Sequence, residues 1–252
     1  LGMSLMSMAT HLFMLFVCIE LASLSSYILV AFHKESKIGG EAGMKYFIVG
    51  SVASAVGIYG MSLLYLWSGD LSLDALAIKW SESESVDPLA GIAVGLMLVA
   101  FGFKVGAAPF HLAAPDAYSG ASSPVAGLLA TASKAMGFVA LMRILVSVTM
   151  PVEGEAFWYT AIAVIAVVTM TWGNLAALTS SNPKRMLAYS SVSHAGYMLA
   201  GLAAIGSGLG SEEAIELVLT AIVFHLAVLV IFKFGAFLVL SLLETEGRSH
   251  RL

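Results

Sequence analysis

The most constraining feature of this chain is a succession of apolar runs of about twenty residues, several of them carrying one ionisable side chain well inside the run. A helix of that length spans about 30 Å, the thickness of a bilayer's hydrocarbon core. Charge at that depth is expensive and is kept where it serves an ion, a proton or a buried partner. Glu20 sits in HLFMLFVCIELASLSSYILVAF and Lys104 in LAGIAVGLMLVAFGFKVGAAPF. Lys134 sits in SPVAGLLATASKAMGFVALM and Lys233 in LVLTAIVFHLAVLVIFKFGAFLVLSLL. One acid and several bases at membrane depth point to movement of ions or protons.

Composition agrees with a membrane solvent. The chain is 59% hydrophobic and only 11% charged, where a soluble domain carries about 25% charge. The expected class is an all-α membrane protein, a polytopic helical bundle forming a single transmembrane domain over residues 1–252. Spans are predicted near 11–32, 46–67, 89–110, 124–148, 157–179, 186–206 and 215–241, about seven in all, with residues 1–8 as the end of another. The chain opens at Leu1 with no basic leader, which predicts an internal segment of a longer protein. A net charge of −4 with scattered basic residues gives nucleic acid no surface to bind. Cys18 is the single cysteine, so no internal disulfide is possible. No phosphate-cradling glycine loop, metal-spaced cluster or nucleophile with a base is present.

Loop charges alternate. Lys34, Lys37 and Lys45 fall in one loop, and Asp70, Asp74, Glu82, Glu84 and Asp87 against Lys79 in the next. Glu153 and Glu155, then Lys184 and Arg185, then Glu212 and Glu213, then Arg248 and Arg251 continue the alternation. Basic loops are predicted to face the cytoplasm or its organellar equivalent. Trp67, Trp158 and Tyr159 are placed at the opposite membrane interface. Gly91 and Gly95 are read as letting helices approach closely.

Chemistry concentrates at FKVGAAPFHLAAPD. Pro109 has no N–H for the carbonyl of Val105 and its ring crowds that turn, so the span is expected to break at Gly106 to Pro109. Irregular backbone at depth survives where it is buried in protein or lines a wet cavity, which puts Lys104 beside a hydrated interior. Glu20 is too short to reach an interface and is paired here with Lys104. At ~4 Å and an effective dielectric of ~20 such a pair is worth about 4 kcal/mol, and about half of that at ~8 Å. Opening and closing it offers a switch that changes what Lys134, the relay lysine, experiences. His194 and His225 supply imidazoles suited to passing protons. Lys233, two turns beyond His225 on about the same face, extends the polar line. Plainer readings stand beside these: Lys104 snorkelling to an interface, Glu20 in a structural ion pair, Lys134 satisfied by carbonyls, each histidine a hydrogen-bonded structural residue. Arg143 is read as an interface anchor or a partner of Glu153, and Lys184 and Arg185 as markers of topology.

The stretch FKVGAAPFHLAAPDAYSGASSPVAGLLATASKAMGFVALMRIL resembles the antiporter-like membrane subunits of proton-pumping NADH:quinone oxidoreductase, respiratory complex I, and in particular the N-type subunit. The resemblance continues in LFMLFVCIELASLSSYILVAF, SNPKRMLAYSSVSHAGYML and FGAFLVLSLLE. It implies a fourteen-helix fold of inverted repeats with broken helices, of which this chain holds the part up to the eleventh helix. It implies that Glu20, Lys104 and Lys134 carry proton translocation. Lys233 departs from the neutral residue that the family leads one to expect. The resemblance further implies a non-redox translocating subunit among other complex I membrane subunits, in the bacterial inner membrane. NADH, FMN, iron–sulfur clusters and quinone are then expected in partner subunits and none in this chain. The alternative is a subunit of a multisubunit sodium/proton antiporter or membrane-bound hydrogenase. A purely structural membrane subunit is a third class, disfavoured by so many charges at depth.

Overall fold

Sequence propensity and membrane length together dictate long helices. A computed structural model describes residues 1–83, 85–147, 157–205 and 212–246, and among them no strand longer than an isolated bridge occurs. The elements are α1 (Gly2–Met8), α2 (Leu12–Val30), α3 (Lys37–Ser68), α4 (Leu73–Ser81), α5 (Pro88–Val105), a 3-10 turn (Phe110–Ala113), α6 (Ala114–Gly120) and α7 (Ser123–Leu128). A π turn (Leu129–Ser133), α8 (Lys134–Ser147), α9 (Phe157–Thr179), α10 (Pro183–Ile205) and α11 (Glu212–Thr245) complete the bundle. Among the described residues, six segments are long and apolar enough to cross a membrane: Leu12–Val30, Lys37–Ser68, Pro88–Gly120, Ser123–Val146, Trp158–Leu178 and Glu213–Thr245. α10 is long enough but more polar, because Lys184, Arg185, Ser190, Ser191, Ser193 and His194 lie along it.

Two elements depart from the expected loops. α3 starts at Lys37, well before the predicted 46, because the Ser36 hydroxyl accepts the Gly39 N–H at 3.0 Å and caps the helix there. Lys37 and Lys45 are therefore helical, and Lys45 pairs with Glu41 at 2.6 Å one turn away. The acidic loop likewise contains α4, capped by Ser72 and packed through Leu73, Leu76 and Trp80. The Trp80 ring meets Trp67 edge to face at 5.3 Å. Gly91 and Gly95 do not admit a neighbouring backbone. They face the indole of Trp158, whose ring atoms lie 3.4 to 3.6 Å from where their Cβ atoms would be. Trp158 is thus buried against α5 and does not lie open at an interface.

The apolar interior divides into two cores. One holds Leu15, Ile19, Met61, Met97, Phe138, Leu141, Leu199 and Leu226, and the other Tyr27, Tyr46, Tyr118, Ala126, Ala188, Phe237 and Leu240. On helix after helix the changeover is polar: Ser23 and Ser26 on α2, Ser54 on α3, Thr131 to Lys134 ahead of and into α8, Ser190 and Ser191 on α10, Lys233 on α11. A polar layer therefore crosses the bundle between two greasy halves.

Candidate functional site

The layer is organised by the break after α5. Asp87 caps that helix at 2.7 Å from the Leu89 N–H, Pro88 opens it, and Gly106 ends it at φ +77°, a conformation that costs glycine nothing. The Ala107 N–H turns back to the Gly102 carbonyl at 2.8 Å. The Ala108 N–H is taken by the Thr169 hydroxyl of α9 at 2.9 Å. The Val105 carbonyl, which Pro109 cannot serve, accepts a hydrogen bond from the Lys134 ammonium at 2.9 Å. Backbone groups freed by the break are thus met by side chains from two other helices.

Lys134 is 4% exposed and also donates to the Ser191 carbonyl on α10 at 2.7 Å. The π turn before it gives its helix one extra residue. Lys104 is 8% exposed, and its ammonium donates to the Ser23 hydroxyl of α2 at 2.7 Å. It turns into the bundle and not toward an interface. A cavity of about 20 Å³, room for one water, is lined by Lys104 and Lys134 together with Tyr46, Tyr118, Ser133 and Ser191. A second of the same size is lined by Lys104, Glu20, Ser23 and Ser54. Lys104 borders both.

Glu20 is not in contact with Lys104. Among the described residues, the ion pairs within 4.0 Å join Lys45 to Glu41 and Asp116, Lys184 to Glu244, and Arg185 to Asp116. The Glu20 carboxylate accepts instead from the Ser54 hydroxyl at 2.7 Å. The expected contact fails because each charge has found a hydroxyl on a neighbouring helix, which answers a charge when the alternative is hydrocarbon.

α11 adds the remaining groups. Lys233 is 1% exposed and donates to the Ser190 hydroxyl at 2.6 Å and to the Leu187 carbonyl at 3.4 Å. His194 Nδ1 and His225 Nε2 are 3.1 Å apart, so one ring donates to the other. His225 and Lys233 thus reach α10 at His194 and Ser190, which lie one turn apart on that helix. Arg143 donates to the carbonyls of Met6 and Ser7 at 3.2 and 2.9 Å, and Glu153, its other expected partner, lies outside the described residues. So do Glu84, Glu155, Arg248 and Arg251. Lys184 and Arg185, read as loop markers, stand in the first turn of α10 and bind Glu244 and Asp116. The residues that sequence reasoning passed over are hydroxyls: Ser23, Ser54, Thr169 and Ser190. Their one signal was position, since Ser23 lies one helical turn beyond Glu20.

Residues 9–252 match the family described as NADH:quinone oxidoreductase/Mrp antiporter, transmembrane. NADH-quinone oxidoreductase subunit N of Rubrobacter xylanophilus is 43% identical over 248 residues, covering 98% of this chain and 50% of that protein. A chain in respiratory complex I from Thermus thermophilus with bound aureothin superposes with a TM-score of 0.77 at 37% identity, covering 95% of this chain and 48% of its own. A chain of the Mrp complex from Dietzia superposes with a TM-score of 0.83 at 27% identity, covering 96% and 43%. The chain spans about half the length of the curated relatives it matches. The TM-score is higher to the Mrp chain and the identity is higher to the complex I chain. The match over residues 9–252, carried on a broken helix and a lysine-bearing polar layer, places this chain, an integral membrane protein, in the NADH:quinone oxidoreductase/Mrp antiporter transmembrane family.

Proposed function

We propose that this chain is the proton-translocating part of an N-type subunit of NADH:quinone oxidoreductase, moving protons along Glu20, Lys104 and Lys134 with His194, His225 and Lys233 as a secondary relay. The observation that carries the reading is Lys104's place on two one-water cavities, one shared with Glu20 and one with Lys134. The chain is then a non-redox translocase subunit within one transmembrane domain. It works among other complex I membrane subunits in the bacterial inner membrane, with the Lys34 and Lys184 loops on the cytoplasmic side. NADH, FMN, iron–sulfur clusters and quinone belong to partner subunits in this reading, and their redox chemistry supplies the energy.

The chemistry follows from electrostatics. With Lys104 drawn toward Glu20, its charge is neutralised away from Lys134, and Lys134 holds its proton on the carbonyls of Val105 and Ser191. When Lys104 returns to the shared cavity, two ammonium groups face each other across one water and repel. One proton leaves toward α10 and α11. Against ~150 mV each outward charge costs about 3.5 kcal/mol, more than the ~2 kcal/mol gained by closing an ion pair from ~8 to ~4 Å, so the switch must be driven from outside.

The test is proton pumping by the intact complex in liposomes, read by dye quenching, with Glu20→Gln and Lys134→Ala. Both abolish pumping if the reading holds. A structural or non-conducting subunit leaves pumping intact in both.

A further inference from the structure

The Glu20–Lys104 pair stands open, and the two hydroxyls that hold it open come from different helices. The Ser54 hydroxyl of α3 donates to the Glu20 carboxylate at 2.7 Å. The Ser23 hydroxyl of α2 accepts from the Lys104 ammonium at 2.7 Å and passes its own proton to the Ile19 carbonyl at 2.7 Å. Each hydroxyl is used in the direction its partner needs: a carboxylate can only accept and an ammonium can only donate. Serine supplies both roles, and Ser23 fills its donor and an acceptor site at once. The space that the ions would cross in closing is the one-water cavity that Glu20, Ser23, Ser54 and Lys104 all line. The helices around it are already close, because a Cβ on Gly57 of α3, one turn from Ser54, would lie 2.6 Å from the Cβ of Ala100 on α5, one turn from Lys104. Closing the pair costs the two charge-assisted hydrogen bonds that Ser54 and Ser23 now make to Glu20 and Lys104.

We propose that Ser23 and Ser54 are positioning residues of the translocation switch, holding Lys104 and Glu20 apart in a stable open state that the driving step must overcome. The inference rests on the translocation reading above and deepens it. The hydroxyls set the population ratio between an open and a contact pair. Each charge-assisted bond removed shifts that ratio toward the contact pair by roughly tenfold or more. A switch already closed has less to release on each cycle, so pumping falls while the complex still assembles.

The test uses the intact complex in liposomes with Ser23→Ala, Ser54→Ala, their combination, and the hydroxyl-preserving Ser23→Thr and Ser54→Thr. Dye-quench pumping is compared with the Glu20–Lys104 separation seen by electron cryo-microscopy of each variant. Expected are an ammonium-to-carboxylate distance within ordinary ion-pair range in the alanine variants and a pumping rate reduced about tenfold, with both restored by threonine. If the double variant is not incorporated, the two single alanine variants carry the same comparison. Equal losses in alanine and threonine variants with the ions still apart would mean a packing role and would overturn the proposal. Full pumping in the alanine variants, with Glu20→Gln still inactive, overturns it too while leaving translocation standing. Full pumping in Glu20→Gln and Lys134→Ala as well overturns both.

Discussion

The Lys134 ammonium sits 2.9 Å from the carbonyl of Val105, the acceptor whose helical donor would have been the N–H that Pro109 lacks. A residue from another span completes the hydrogen bonding of the broken one, so the relay group and the defect in the helix support each other. Lys134→Ala leaves the buried Val105 carbonyl short of a donor, while the Ser191 carbonyl keeps its place in the α10 helix. The expected loss is about 1–3 kcal/mol. Thermal unfolding of the purified complex is expected to show that loss in Lys134→Ala. Lys134→Arg keeps donors at the break and is expected to retain more stability than pumping.

Gly106 sits at φ +77°, and a Cβ there would come 3.5 Å from the Lys134 ammonium. Gly106→Ala forces an L side chain into the left-handed region at roughly 1–2 kcal/mol. Lower thermal stability together with reduced pumping is the expected outcome, and an unchanged melting temperature would argue that the turn relaxes.

Thr169 accepts the Ala108 N–H and donates to the Ile165 carbonyl. Thr169→Val keeps the shape and orphans a buried N–H, a cost of about 1–3 kcal/mol. Thr169→Ser keeps the hydroxyl and is expected to behave as the parent. Thermal unfolding of the two variants side by side separates hydrogen bonding from packing.

The far end of the bundle is tied by Lys184, which pairs with Glu244 at 2.6 Å and donates to the Ala121 carbonyl at 2.9 Å, while Ser123 donates to Glu244 at 2.8 Å. The side chains of Lys184 and Glu244 are 15% and 33% exposed, so the pair is screened in part. Glu244→Gln is expected to cost about 1 kcal/mol and to speed proteolysis near the end of α11. Added salt should narrow the gap from the parent chain.

Acid should loosen the turn between α3 and α4. The Ser72 N–H donates to the Asp70 carboxylate at 2.9 Å, and this bond above all holds the Asp70 carboxyl below the usual carboxylate range. A depressed folded value means a stabilising contribution that is present above the ordinary carboxylate range and is lost as pH falls through the folded value. Hydrogen exchange across residues 69–73 is expected to quicken on acidification in the parent chain and to vary less with pH in Asp70→Ala.

Much of this arrangement was legible in the sequence. A charge in an apolar run has few roles to choose among, so Glu20, Lys104, Lys134 and Lys233 identified themselves, and Pro109 announced the break. Partners were not legible. Serines in membrane helices commonly bond back to their own turn, as Ser26 does to the Ala22 carbonyl, so nothing in the letters singled out Ser23 or Ser54 as charge partners. The pairing of Glu20 with Lys104 followed from Coulomb's law alone and missed that a near hydroxyl competes with a farther ion. α4 was hidden because nine residues with a single buried face read as an acidic loop.

The split between the two apolar cores has a mechanical consequence. Interdigitated hydrocarbon resists shear, since displaced side chains must climb out of one another's gaps. Hydroxyls, ammonium groups and imidazoles can exchange one neighbour for the next and stay bonded throughout. Because the helices run through both halves, the stratum holding Ser23, Lys134, Ser191 and Lys233 is where side chains can change partners while the hydrocarbon on either side keeps the helices in place.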